Sequence, residues 1–139
     1  MGGLFARTCS LMGSSVGIVK RRILLIDDDP LILKSFVRLL ESERYEVIPT
    51  ASYTEALDAI SHETFDLVLS DIRMPGKNGV ETVSKIQSGL IQAGKKDLPI
   101  IFITGYAEDG IKLHANFLGE VLHKPVDNDR LLTTIRDYL

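Results

Sequence analysis

Short apolar runs alternate with longer amphipathic stretches from residue 22 to the end of the chain. The apolar runs are Ile23 to Ile26, Glu46 to Ile48, Leu67 to Leu69, Ile100 to Ile103 and Val121 to Leu122. Runs of this length without polar alternation are typical of strands that are covered on both faces of a sheet. The chain is therefore predicted to contain five buried strands.

The stretches between these runs carry their apolar residues at helical spacing. The spacing occurs in Leu33, Phe36, Val37 and Leu40, in Tyr53, Ala56, Leu57 and Ile60, in Val83, Ile86 and Leu90, and in Leu131, Ile135 and Tyr138. Such a stripe predicts a helix with one buried face. Ser52 and Glu55 have the spacing of a capping box at a helix start, and the last helix is predicted to follow Asp127.

The alternation of strand and helix favours a single fold class. Strand-then-helix units predict a parallel sheet with helices on both faces, and right-handed crossovers leave few topologies. We therefore predict an α/β, flavodoxin-like doubly wound sheet of five parallel strands in the order 2-1-3-4-5. Ligands of such sheets bind outside the carboxyl ends of the strands, where the winding reverses.

Composition narrows the class of protein further. The 139 residues suit one domain, and no apolar run approaches the roughly 20 residues of a membrane-spanning helix. The single cysteine, Cys9, can form neither an internal disulfide nor a zinc site. These features predict a cytoplasmic protein that is not inserted into a membrane.

Charge separates the start of the chain from the rest. Residues 1–22 hold four basic residues and no acid, so the net charge of −3 leaves −7 on the remainder. An acidic domain of this kind is not expected to bind nucleic acid directly. We predict that residues 1–21 form a flexible leader, that residues 22–139 form the domain, and that Lys20, Arg21 and Arg22 are a solvated entry to the first strand.

Polar residues that could carry chemistry follow four of the predicted strands. They are Asp27-Asp28-Asp29, Ser70-Asp71, Thr104-Gly105 and Lys124-Pro125. Three of the four also have a local explanation. Asp29-Pro30 has the pattern of a helix cap followed by a first-turn proline, Asp71 could precede a turn at Met74-Pro75-Gly76, and Lys124 could be a solvated lysine. Because all four lie at the carboxyl ends of strands in one sheet, we expect them to form one site.

The residue types at this site indicate phosphoryl chemistry. Carboxylates from the first and third strands repel each other unless a cation lies between them. Mg²⁺ is the cation that carboxylates, waters and phosphate oxygens suit best. The hydroxyl of Thr104 and the ammonium of Lys124 can bind phosphoryl oxygens, so the site is predicted to transfer a phosphoryl group to an aspartate.

Four segments, ILLIDDDP, LVLSDIRMPGKNG, IIFITG and LHKP, closely resemble the receiver domain of two-component response regulators. The resemblance extends from about Arg22 to Leu139. It implies the following roles: Asp71 as phospho-acceptor, Asp27 and Asp28 as the acid pair that binds Mg²⁺ with Asp28 as direct ligand, the backbone carbonyl of Arg73 as a further metal ligand, Thr104 as switch hydroxyl, and Lys124 as the phosphate-binding lysine before a cis proline.

The resemblance also implies partners. A receiver takes its phosphoryl group from a histidine kinase or a phosphotransfer protein and signals by a conformational change, catalysing only its own phosphorylation and dephosphorylation. Because the chain ends where the last helix should finish, we expect output through contact with a downstream protein, unless the chain is an excised part of a hybrid kinase or longer regulator.

Two departures from the family pattern concern the switch. Many receivers have an aromatic residue three positions before the lysine, where this chain has Val121. The segment AEDGIKLHANFLGE predicts only a poor helix, because Gly110 and Gly119 bracket it. These departures leave open a phosphorylation-independent interaction module of the same fold. A haloacid-dehalogenase-like phosphatase is a further alternative, but Arg73 occupies the position of its general acid.

Overall fold

The computed structural model describes residues 19–72, 79–95, 98–104 and 119–139. The strands are β1 (Arg22–Ile26), β2 (Glu46–Thr50), β3 (Leu67–Ile72), β4 (Ile100–Thr104) and β5 (Gly119–His123). The helices are α1 (Pro30–Ser42), α2 (Tyr53–His62), α3 (Gly79–Gln92) and α4 (Asn128–Tyr138). None of the helices in these ranges combines the length and the apolar composition that a membrane-spanning helix needs.

All five strands pair in parallel, in the order β2-β1-β3-β4-β5. The predicted fold class and strand order are therefore confirmed. Each strand extends beyond its apolar run, because backbone pairing continues into the polar residues that follow or precede it. Pro49 lies within β2, which is an edge strand, where a residue without a backbone N–H is tolerated.

Two apolar layers hold helices on the two faces of the sheet. One layer joins Leu24, Val68 and Phe102 of the sheet to Ile60 of α2 and Leu90 of α3. The other layer lies under α1 and α4, and its main members are Leu25, Leu69, Ile103, Leu40, Leu131 and Ile135. Successive strand residues alternate between the layers because side chains alternate across a strand.

Polar residues cap the first turns of α1 and α2. Asp29 caps α1, since its Oδ1 accepts hydrogen bonds from the backbone N–H groups of Leu31 and Ile32. Ser52 Oγ accepts from the N–H of Glu55 at 3.2 Å, as the capping box predicts. The reciprocal bond is shifted by one residue, because Glu55 accepts from the N–H of Ala51 and not from that of Ser52.

Arg22 corrects the prediction of a solvated entry to β1. Lys20 and Arg21 are exposed, but Arg22 is only 7% exposed. Its guanidinium donates at 2.6 Å to Glu46 and at 2.6 Å to Glu63. Burial by itself lowers the pKa of Arg22, but hydrogen bonds and charges from Glu63 and Glu46 raise it overall. The sequence pattern gave no sign that these distant acids converge on one residue of the basic run.

Candidate functional site

Two aspartates lie side by side where β1 and β3 end. Ile26 and Ser70 are paired in register, so Asp27 and Asp71 each follow by one residue on adjacent strands. Adjacent strands are about 4.8 Å apart, and equivalent positions project to the same face. Asp27 is 1% exposed and Asp71 is 6% exposed. The structure thus buries two carboxyl groups at the point where the winding of the sheet reverses.

Lys124 lies against the second of these aspartates. Its Nζ donates a hydrogen bond of 2.7 Å to Oδ2 of Asp71. The side chain of Asp71 is fully buried, while that of Lys124 is 26% exposed. A buried carboxylate needs an opposite charge close by, and the lysine supplies it from the solvent side. Lys124 is therefore not the solvated lysine of the local explanation, and the peptide bond between it and Pro125 is cis, as the resemblance implies.

The three aspartates that follow β1 have different environments. Asp29 caps α1 with its side chain, while its backbone N–H donates to Oδ1 of Asp27 at 2.9 Å. The N–H of Asp27 donates to the carbonyl of Thr50 at 3.1 Å. Asp28 is exposed. The local explanation of the run as a helix start holds for Asp29, whereas Asp27 belongs to the buried pair.

The remaining predicted site residues lie only partly within the described ranges. Thr104 ends β4 in register with Ile72 and His123, so its backbone lies at the same edge of the sheet. Arg73, the side chain of Thr104 and residues 105–118 lie outside the described part. Ser70 does not join the site, because its register partner Phe102 belongs to the layer under α2 and α3.

Val121 lies three positions before Lys124, where the resemblance leads one to expect an aromatic residue. It is 3% exposed and belongs to the apolar layer under α2 and α3. A buried valine in this layer has neither the ring nor the polar tip of a tyrosine, which can lie half in and half out of a protein surface. Val121 therefore has no ring that could move between a buried and an exposed position.

The donor atoms of the site fit a hard cation. Within the described ranges, no group of three or more His, Cys, Asp or Glu is arranged to hold a metal by itself. Mg²⁺ does not require such a group, because it usually takes one or two carboxylates and fills its octahedron with waters and phosphate oxygens. Asp27, Asp28 and Asp71 offer only carboxylate oxygens, which suits Mg²⁺ and not a thiolate- or imidazole-binding metal.

An open groove continues from the site along α1. Its volume is about 550 Å³, and it is lined by Ile32 and Phe36 of α1, by Ile103 at the end of β4 and by Lys124 with the two residues that follow it. Nearby in the first turn of α1, Leu31 is 74% exposed. Lys124 therefore borders both the buried carboxylate of Asp71 and an accessible, mostly apolar surface.

Sequence reasoning did not single out Thr50 among the residues around the acid pair. This threonine is 7% exposed, and its Oγ1 donates to the carbonyl of Leu25 at 2.8 Å. The available signal was a hydroxyl residue two positions after the apolar run of β2. That signal becomes informative only when the register places Thr50 opposite Ile26, next to Asp27.

Comparison with known proteins identifies the family. The model of the response regulator receiver domain matches residues 23–136, and the chain belongs to this family. Among curated relatives, the transcriptional regulatory protein GlrR of Escherichia coli (strain K12) is 36% identical over 119 residues, which are 84% of this chain and 26% of that protein. The chain thus spans about a quarter of the length of this relative.

Solved structures agree with both fold and family. A CheY-like response regulator receiver domain protein from Methanospirillum hungatei is 36% identical, with a TM-score of 0.69, over 86% of this chain and 93% of that chain. The response regulator protein TrrA from Thermotoga maritima, solved in complex with Mg(2+)-BeF, is 32% identical, with a TM-score of 0.72, over 86% of this chain and 99% of that chain. Receiver domains are in general signalling modules and not enzymes that act on external substrates.

Proposed function

We propose that Asp71 accepts a phosphoryl group, in a Mg²⁺-dependent reaction, from a histidine kinase or a phosphotransfer protein. The observation that carries this proposal is the buried carboxylate of Asp71, which accepts a hydrogen bond of 2.7 Å from Lys124 and follows the register pair Ile26–Ser70, as Asp27 does on the neighbouring strand. A carboxylate fixed in this way is oriented for in-line attack, and the lysine remains beside the charge that develops.

The proposed reaction is a transfer between two side chains. An oxygen of the Asp71 carboxylate attacks the phosphorus of a phosphohistidine, the P–N bond breaks, and an acyl phosphate forms while the electron pair returns to the histidine ring. Lys124 is placed to move its hydrogen bond from the carboxylate to a phosphoryl oxygen. Thr104, whose backbone ends β4 at this edge, would supply the switch hydroxyl.

The metal ligands in this proposal are Asp27, Asp28, Asp71 and the backbone carbonyl of Arg73. When bound, Mg²⁺ neutralises negative charge on the carboxylates and on the phosphoryl oxygens. Asp27 would hold the cation from a buried position, and the exposed Asp28 would reach it from solvent. Thiol and imidazole groups have no part in the proposed ligand set.

The groove beside α1 is the proposed contact surface for the phosphodonor. In this proposal the donor histidine approaches Asp71 from the side that Lys124 borders, since the groove continues from Lys124 past Ile32 and Phe36. Leu31, which precedes Ile32 in the first turn of α1, is a further exposed apolar residue that the donor could cover. A protein donor that covered this surface would exclude water from the transfer, which strengthens the electrostatic interactions there.

Phosphorylation would then act as a signal. An added charge of about −1.5 to −2 favours the conformation in which positive and hydroxyl groups close on it. We propose a domain from 22 to 139 in a cytoplasmic phosphorelay, preceded by a leader over residues 1–21, with a downstream protein as its target. No turnover of an external substrate is proposed beyond the domain's own phosphorylation and dephosphorylation.

The experiment is labelling with acetyl phosphate and Mg²⁺, followed by intact-mass analysis. The wild type should gain a single phosphoryl group, Asp71→Asn should gain none, and removal of Mg²⁺ by a chelator should abolish the label. Asp137→Asn is a matched control, because Asp137 is an exposed aspartate of α4. Equal labelling of the wild type and Asp71→Asn would contradict the assignment, and absence of any label would favour a phosphorylation-independent interaction module.

A further inference from the structure

We infer that Thr50, at the end of β2, is a positioning residue that fixes Asp27 for metal binding. Its hydroxyl and its carbonyl hold β1 on the two sides of Ile26, directly before the acid pair. This inference rests on the proposed function, because it assigns a role toward the same Mg²⁺ site.

Thr50 is bonded to β1 through both its side chain and its carbonyl. Its Oγ1 donates to the carbonyl of Leu25 at 2.8 Å, and its own carbonyl accepts from the N–H of Asp27 at 3.1 Å. The first bond acts on the residue before Ile26 and the second on the residue after it. Thr50 is therefore linked to the backbone on both sides of the strand position where β1 gives way to the acidic run.

The location of Thr50 makes its side-chain bond effective. Within the described part of the chain, β2 is an edge strand and pairs with β1 alone. Thr50 is the last residue of β2, and strand ends separate more readily than strand centres. The hydroxyl is buried, so water does not readily replace it at the carbonyl of Leu25.

Asp27 depends on this link for the position of its backbone. Its carboxylate is fixed by the N–H of Asp29 at 2.9 Å, and its N–H by the carbonyl of Thr50. If β2 separates from β1 at Thr50, Asp27 loses its backbone partner and the metal ligand moves with the loop. A net hydrogen bond corresponds to about a five-fold change in an equilibrium constant, so loss of the hydroxyl should raise the open population about five-fold.

The test compares Thr50→Val with Thr50→Ser in the full chain. Valine preserves the shape of the side chain but has no hydroxyl, whereas serine retains the donor. Val47→Ala is the matched control, because Val47 is also buried in β2 but is paired with Ile23 at the far end of the strand. Amide hydrogen exchange of Asp27, followed by NMR without metal, and the dissociation constant for Mg²⁺ are measured for each variant.

The expected result is that Thr50→Val speeds exchange of the Asp27 amide about five-fold and weakens Mg²⁺ binding several-fold, while Thr50→Ser and Val47→Ala change neither. Unchanged exchange in Thr50→Val would overturn the inference, as would an equal effect of Val47→Ala, since general loosening of β2 would then explain the result. The exchange measurement contains no metal and no phosphodonor. It therefore separates a failure of this inference from a failure of the proposed function, which would appear as absent Mg²⁺ binding and labelling in the wild type.

Discussion

Replacement of Lys124 by methionine should destabilise the domain through the carboxylate that it leaves behind. Methionine has a similar length and no charge, so the apolar stem is largely preserved. The ammonium that donates to Asp71 at 2.7 Å is lost, and the Asp71 side chain is fully buried. Asp27 directly follows Ile26, which is paired in register with Ser70, so a second carboxyl group lies at the same end of these two strands.

The expected loss of unfolding free energy depends on how deeply the side chains of Asp71 and Lys124 are buried. Removal of one partner from a buried ion pair costs about 3–5 kcal/mol of unfolding free energy. The Lys124 side chain is 26% exposed, which places the expected loss near the lower end, at about 3 kcal/mol. In an Asp71→Asn background the same substitution removes only a hydrogen bond to a neutral amide, so the expected loss falls to about 1 kcal/mol. The coupling between the two positions is then about 2 kcal/mol.

The assay is a double-mutant cycle by urea unfolding with a chelator present. With a denaturant slope of about 1.5 kcal/mol/M, Lys124→Met should lower the urea midpoint by about 2 M in the wild-type background and by about 0.7 M in the Asp71→Asn background. Millimolar Mg²⁺ should restore part of the loss in Lys124→Met, because a bound cation compensates the same carboxylates.

Equal midpoint shifts in the two backgrounds would refute the reasoning. That result would mean that the Asp71 carboxylate does not depend on Lys124 and that the pair behaves like an exposed ion pair. A larger shift in the Asp71→Asn background would refute it as well, since the lysine would then be needed for packing and not for charge.

Two further predictions concern residues away from Asp27 and Asp71. Arg22→Met should lower the unfolding free energy by about 2–3 kcal/mol, because it removes charged hydrogen bonds to partly exposed carboxylates, whereas the exposed Arg21→Met should change it by less than about 0.5 kcal/mol. Equal urea midpoints for the two variants would contradict this. Burial raises the pKa of the Tyr45 phenol, with Arg136 opposing the rise and Glu43 adding to it. The folded state therefore retains the phenol proton more strongly than the unfolded state does. The contribution of Tyr45 to the free energy of unfolding is fully present below the ordinary pKa of about 10, and it is lost as the pH rises through the raised pKa. Urea unfolding between about pH 9 and 11 should therefore show a shallower decline for Tyr45→Phe, and parallel curves would count against the raised pKa.

The sequence by itself determined the elements and the class of fold. Apolar runs and helical stripes are local patterns, and burial of a strand or of a helix face depends directly on them. The capping residues Asp29 and Ser52 are also local signals, since each bonds to backbone within three residues. The strand order followed because few topologies satisfy right-handed crossovers, and the ends of the strands then indicated which polar residues would meet.

Only the tertiary structure decided which partner each polar side chain would take. Arg22 and Lys20 belong to one basic run, yet their environments differ. Arg22 is buried and bonded to acids from two other segments of the chain, whereas Lys20 is exposed. Thr50 acquires its contacts with β1 from strand register, and Ser70 faces away from the site although it precedes Asp71. Hydrogen bonds between residues 20 to 50 positions apart depend on how strands align and which face they present. A one-residue change of register would exchange every inward and outward side chain, and no local pattern specifies that alignment for a single polar residue.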